Sequence, residues 1–241
     1  IALKIRKIIG NQISNYGSER PLTIAFLGDS VTHGCFELEP TPDGGFYCVH
    51  DNEAVYHTRF KKRFHSVFPT IPISLINAGI SGGSAVTGAQ RLERDVLSYK
   101  PDLTVVCFGL NDVYGGNEDE YLTGLNEIFK GLKEIDSDVI YMTPNMLCTT
   151  PKLTPIKSLY EMSEKCADIQ NSGFFDKFLA KGMELSKECG VEVCDCYGEW
   201  KKIAEYGKDT TYLLSNFINH PTREMHELFA ASLFNKIVLG K

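Results

Sequence analysis

Five short runs of apolar and β-branched residues punctuate the chain: "TIAFLG" (23–28), "ISLINAG" (73–79), "LTVVCFG" (103–109), "VIYMTP" (139–144) and "VEVCD" (191–195). Unbroken apolar character over so short a length marks a strand covered on both faces. Between the runs lie stretches with helical spacing: Glu53 to Phe68, Thr87 to Tyr99, Glu118 to Glu134, a longer region from Ser158 to Cys189, and Thr222 to Val238. Strand alternating with helix predicts right-handed crossovers and an α/β fold, its parallel five-stranded sheet covered by helices on both sides. Ligands of such sheets bind beyond the carboxyl ends of the strands. The segment from Cys35 to Asn52, rich in Pro, Gly and Asp, predicts a loop beside that edge.

The residues just after each strand are therefore where chemistry is expected. The first strand runs into "GDSVTHG", which has no lysine for a phosphate loop and does not fit the G-x-S-x-G elbow either. On its own this turn could cradle a phosphate or present a nucleophile. The second strand ends in "NAGISGGSA", with Asn77, Gly79, Gly82 and Gly83, and the third in "GLNDVYGG", with Gly109, Asn111 and Asp112. A hydroxyl, flexible backbone amides and a side-chain amide at one sheet edge suit acyl transfer, where a nucleophile attacks and donors hold the resulting oxyanion.

A base is still needed. Of six histidines, His220 stands apart in "NFINHPTREMH", a polar, proline-marked turn before the last helix. His226 falls inside that helix and reads as structural or as a support behind the site residues, and Asp29 reads as a hydrogen-bonding residue of its turn. Each feature also has a plain alternative: Ser30 as a helix N-cap, the glycines and the Asn-Asp pair as ordinary turn chemistry. Their joint occurrence at successive strand ends is what those alternatives explain badly.

At 241 residues the chain can form one domain, spanning 1–241, around one sizeable core. A net charge of −6 argues against a grip on nucleic acid or an anionic membrane surface. The one dense basic patch, "RFKKRF" (Arg59 to Phe64), reads as the solvated face of a helix. No stretch is apolar for long enough to span a bilayer, and "IALKIRKIIGNQ" is too charged for a signal peptide. The eight cysteines lack the spacing of a disulfide scaffold, so free thiols and a cytoplasmic location are expected. Cys194 and Cys196 have no further Cys/His pair nearby and read as buried thiols instead of metal ligands.

Taken in order, "GDS" near the start, "NAGISGG", "GLND" and a late "HP" resemble the blocks of the SGNH hydrolases, also called GDSL esterases and lipases. The resemblance runs from Ile24 to about Phe234. It implies a flavodoxin-like three-layer α/β/α fold and a serine esterase needing no cofactor or metal. Position by position it implies Ser30 as nucleophile, His220 as base, and oxyanion donors from the Gly82 N–H and the Asn111 side chain. The family usually carries an aspartate three residues before the histidine; here that position is Phe217. Because Phe217 accepts no hydrogen bond, Nδ1 of His220 is expected to face a neutral oxygen, either a main-chain carbonyl or Asn216.

The polar segment with Glu37, Glu39, Asp43, Asp51 and Asn52 suits a small-molecule or carbohydrate ester, such as an acetylated sugar. Lysophospholipid or thioester hydrolysis, a non-catalytic carbohydrate-binding relative and a flavin or nucleotide binder are the alternative readings. The oligomeric state is left open.

Overall fold

The computed structural model describes residues 3–15, 20–154 and 156–241. An amphipathic helix α1 (Ile5–Ser14) leads into β1 (Leu22–Gly28), followed at once by the one-turn helix α2 (Ser30–His33). A two-stranded antiparallel ribbon, β2 (Cys35–Pro40) and β3 (Phe46–His50), comes next. The chain then alternates: α3 (Tyr56–Val67), β4 (Ile73–Gly79), α4 (Ala85–Gln90), α5 (Leu92–Asp95), β5 (Leu103–Cys107), α6 (Leu110–Gly115), α7 (Glu118–Glu134) and β6 (Asp138–Met142). It finishes with α8 (Lys157–Asn171), α9 (Phe174–Glu188), β7 (Glu192–Cys194), α10 (Cys196–Glu205) and α11 (His226–Phe234).

The main sheet has the order β4-β1-β5-β6-β7 with every pairing parallel. It is the centre of a three-layer α/β/α fold, with α3 packed on α11 in one layer and α7 on α4 and α9 in the other. The fully buried residues of β5 and β6 follow from this double cover. The strand order reverses beside β1. There the register sets Gly28 opposite both Gly79 and Cys107, so three strands end level and their following turns share one edge.

The five predicted strands are all present. The predicted loop at 35–52 is instead the β2–β3 ribbon, with only residues 41–45 left as its tip; Pro, Gly and Asp cluster at that tip, and the flanking strands are too exposed to show an apolar run. The stretch 87–99 is broken into short helical turns, and the long region 158–189 is two helices parted at Gly173, which holds φ +73°. Residues 222–225 precede the last helix instead of belonging to it.

Gly79 is where β4 meets α2. A Cβ there would stand 2.2 Å from the His33 nitrogen and 2.5 Å from the Thr32 carbonyl carbon, both backbone atoms of α2. Gly79→Ala is therefore expected to cost about 1–3 kcal/mol in urea unfolding and to displace Ser30. Unchanged stability would show that α2 can retreat freely.

Candidate active site

Ser30 begins α2, and the side chain of Asp29 caps that helix by accepting the Val31 N–H at 3.0 Å. Capping by Asp29 frees the Ser30 hydroxyl for other work. Its Oγ lies 2.9 Å from Nε2 of His220, with both residues about 95% buried (5% and 4% exposed). On the other side of the ring, Nδ1 is 2.9 Å from the main-chain oxygen of Phe36. A carbonyl can only accept, so Nδ1 carries the proton and Nε2 is left to accept from Ser30.

The carbonyl is available because of a bulge. Cys35 pairs with His50 and Leu38 with Cys48, so β2 holds one residue more than β3 over this interval and the register shifts. A bulge takes a peptide out of the ladder and re-aims it; here Phe36 O turns to the imidazole. Asn216 does not meet the ring. Its Oδ1 is committed to the backbone N–H groups of Ile218, Asn219 and His220, at 3.0, 3.0 and 2.9 Å, and so folds the turn that carries the histidine. Phe217 takes φ +55° in that turn, with its ring 42% exposed and set edge-on to Tyr212.

Gly82 sits at φ +78° with open space around its Cα, and among the described residues nothing accepts from its N–H. The Asn111 side chain donates to Gly83 O at 2.8 Å, tying the turn after β5 to the turn after β4 and leaving its second N–H uncommitted. The N–H of Ser30 itself, at the first position of α2, also has no acceptor among the described residues. Sequence reading missed this donor, although orphan N–H groups at a helix start are its general signal. His33, one turn after Ser30, accepts the Ser81 N–H at Nδ1 (3.3 Å) and so latches α2 to the Gly82 turn. Arg91 reinforces the same edge from below, donating to Gly28 O at 2.9 Å and Ala78 O at 2.7 Å.

His226, as expected, is structural: it is fully buried and its Nδ1 accepts the Tyr56 N–H at 3.0 Å. All eight cysteines are free, with Cys194 and Cys196 sulfurs 3.9 Å apart. Among the described residues no three His, Cys, Asp or Glu side chains are placed to hold a metal ion, and no helix is long and apolar enough to cross a membrane.

Residues 26–228 match the GDSL-like lipase/acylhydrolase family. The chain belongs to that family. An acetylxylan esterase from Geobacillus stearothermophilus is 29% identical over 132 residues, which cover 50% of this chain and 58% of that protein; the match thus spans less than two thirds of that relative. The solved structure of an acetylxylan esterase from the same organism superposes with a TM-score of 0.65 at 20% identity, covering 90% of this chain and 94% of that one. An α/β hydrolase enzyme from the metagenome of Lake Arreo, Spain, gives 0.63 at 19% identity with the same coverage. At such identity these likenesses concern the fold alone. Three solved forms of the Geobacillus esterase are described as catalytic mutants, altered at a serine, a histidine and an aspartate three positions before that histidine.

Burial dominates the electrostatics. Loss of hydration pushes His220 down to about 4, against an opposing contribution from the Phe36 hydrogen bond. Burial likewise lifts Asp29 to about 7, opposed by the Val31 N–H, and Asp112 to about 6. A general base acts only when neutral, so in the base role that the sequence suggests His220 would stay competent well below the usual histidine range. With a small ester, kcat/KM is expected to change by less than about twofold between about pH 8 and about pH 5.5. A midpoint near pH 6.5 would contradict this.

Circular dichroism at each pH keeps stability separate from catalysis. His57, His220 and His226 protonate in the unfolded chain near 6.5 but not in the folded one, so stability falls as pH drops from about 6.5 toward 4. The raised Asp29 and Asp112 act in the opposite sense over the same interval.

Proposed function

We propose that the protein is a serine esterase that removes acetyl groups from a hydroxylated, carbohydrate-like substrate through an acyl-enzyme. The observation that carries this reading is the 2.9 Å contact from Ser30 Oγ to a His220 ring whose other nitrogen is held by the Phe36 carbonyl. In the reaction, Nε2 takes the Ser30 proton as Oγ attacks the acyl carbonyl. The developing oxyanion is met by the N–H groups of Ser30 and Gly82 and by the Asn111 amide. His220 then gives the proton to the departing alcohol oxygen. Water, deprotonated by the same nitrogen, releases acetate from Ser30.

The substrate class is supported by the name of the Geobacillus relative and by a cavity of about 260 Å³ beside the histidine turn. Its lining includes Glu37, Glu39 and Lys152 as well as the exposed ring of Phe217. It also includes Ser215 and Asn216, which hydrogen-bond the His220 backbone. Leu38, Leu153, Leu159 and Ile218 supply its apolar wall; a small hollow that mixes charged groups with apolar ones and an aromatic edge suits a sugar ring, which offers hydroxyls at its rim and C–H faces.

Activity should be compared on p-nitrophenyl acetate, butyrate and octanoate and on acetylated xylo-oligosaccharides. Acetyl esters are expected to be preferred, and Ser30→Ala is expected to lower kcat by about 10⁴-fold or more with the fold intact. Preference for octanoate or a lysophospholipid would replace the carbohydrate reading, and activity untouched by Ser30→Ala would end the serine mechanism. Asn111→Ala should lower kcat by about 10²–10³ with little change in KM; an unchanged kcat would remove Asn111 from the oxyanion site.

A further inference from the structure

A triad acid does two things: it fixes the imidazole and it stabilises the imidazolium. In this chain the first task falls to a main-chain carbonyl, which needs something to hold it. That carbonyl belongs to the peptide joining Phe36 to Glu37, and Glu37 is gripped by Arg223, three residues beyond His220. Nη1 and Nη2 of Arg223 meet the two Glu37 carboxylate oxygens at 2.6 and 3.1 Å, and Nε meets Asp51 at 3.0 Å. The guanidinium also stacks 4.5 Å from the Phe36 ring centroid. Asp51 in turn receives the Glu53 and Ala54 N–H groups and donates its own N–H to Gly34 O, so it is anchored in the backbone that follows β3.

Arg223 thus joins the histidine turn to β2 and to the residue that follows β3. We propose that Arg223 is a positioning residue: by gripping Glu37 and Asp51 together it holds the Phe36 carbonyl on His220 Nδ1, and the two carboxylates it bridges leave one surplus negative charge behind that carbonyl. A bidentate guanidinium fork fixes distance and angle, which a lysine ammonium does not. The charged and titratable groups acting on His220 are Glu37 from β2 and His50 from β3, with His226 from α11 interacting with it; Arg223 and Asp51 stand behind Glu37 in the clamp. Of these, Glu37 favours the imidazolium and His50 opposes it.

This inference rests on the esterase reading, and the experiment separates the two. Kinetics on p-nitrophenyl acetate are measured for the wild type and for Arg223→Gln, Arg223→Lys and Glu37→Gln. The His220 ring is followed by nitrogen-15 NMR in the Ser30→Ala protein carrying the same substitutions. Arg223→Gln is expected to lower kcat by about a hundredfold with KM changed by less than about twofold, because the base is misplaced and not the substrate. Its His220 Nδ1–H signal should be lost to exchange with solvent.

Arg223→Lys should recover only part of the rate. Glu37→Gln should move the His220 titration to lower pH, since a charge favouring the imidazolium is gone. Because Arg223 and Glu37 act as one unit, the double variant should be little worse than Arg223→Gln alone. A folded Arg223→Gln protein with unchanged kcat and a retained Nδ1–H signal would overturn the proposal. So would additive losses with an unmoved His220 titration, which is the signature of a general structural role. If the wild type hydrolyses no ester, the functional reading fails, while the NMR measurements still decide the clamp.

Discussion

The contact on which the site depends is the hydrogen bond from His220 Nδ1 to the Phe36 carbonyl. It sets the tautomer, and in the proposed mechanism the tautomer decides whether Ser30 has a base at all. Everything around it serves its geometry. The bulge in β2 turns the carbonyl out of the ribbon, Asn216 folds the turn that brings the ring up to it, and burial keeps the ring neutral. A neutral acceptor cannot stabilise an imidazolium as an adjacent carboxylate would. The charge near the ring is instead placed one peptide further away, on Glu37.

The fold supplies the other half of the geometry through level strand ends. With Gly28, Gly79 and Cys107 in register, three turns from distant parts of the chain emerge side by side. Arg91 below and His33 and Asn111 above then bind those turns to one another, so the donors around Ser30 are held by cross-links between loops. Asp112 belongs to the same cross-linking through the Ala85 N–H, while Asp29 caps its own helix. Each accepts a backbone N–H in a dry setting, and burial raises both toward neutrality.

The sheet was legible in the sequence because doubly covered strands show as unbroken apolar runs, and the histidine turn because proline and asparagine mark it. Ser30 and the Asn111 turn could be read from their positions after strands, and His220 from its place in that turn before the last helix. The orienting group could not. A peptide oxygen has no side-chain signature, and the bulge that aims it arises only when β2 meets β3, which exposed, charged residues do not announce. Arg223 was hidden for a related reason: its partners are 172 and 186 residues away in sequence. Phe217 was conspicuous as a departure, yet its ring points to the surface and leaves Nδ1 to Phe36.

That choice of acceptor changes how the protein tolerates mutation. A catalytic carboxylate is lost with a single codon, whereas a main-chain carbonyl survives every substitution of its own residue except through the shape of the strand. Side-chain scanning across Phe36 would therefore pass over the orienting atom. The vulnerable quantity is chain length: one residue inserted or deleted between Cys35 and Leu38 would remove or shift the bulge and turn the carbonyl away. On the proposed reading, the integrity of the base in this chain is guarded by the spacing of a ribbon, and a change in that spacing is where activity would first be lost.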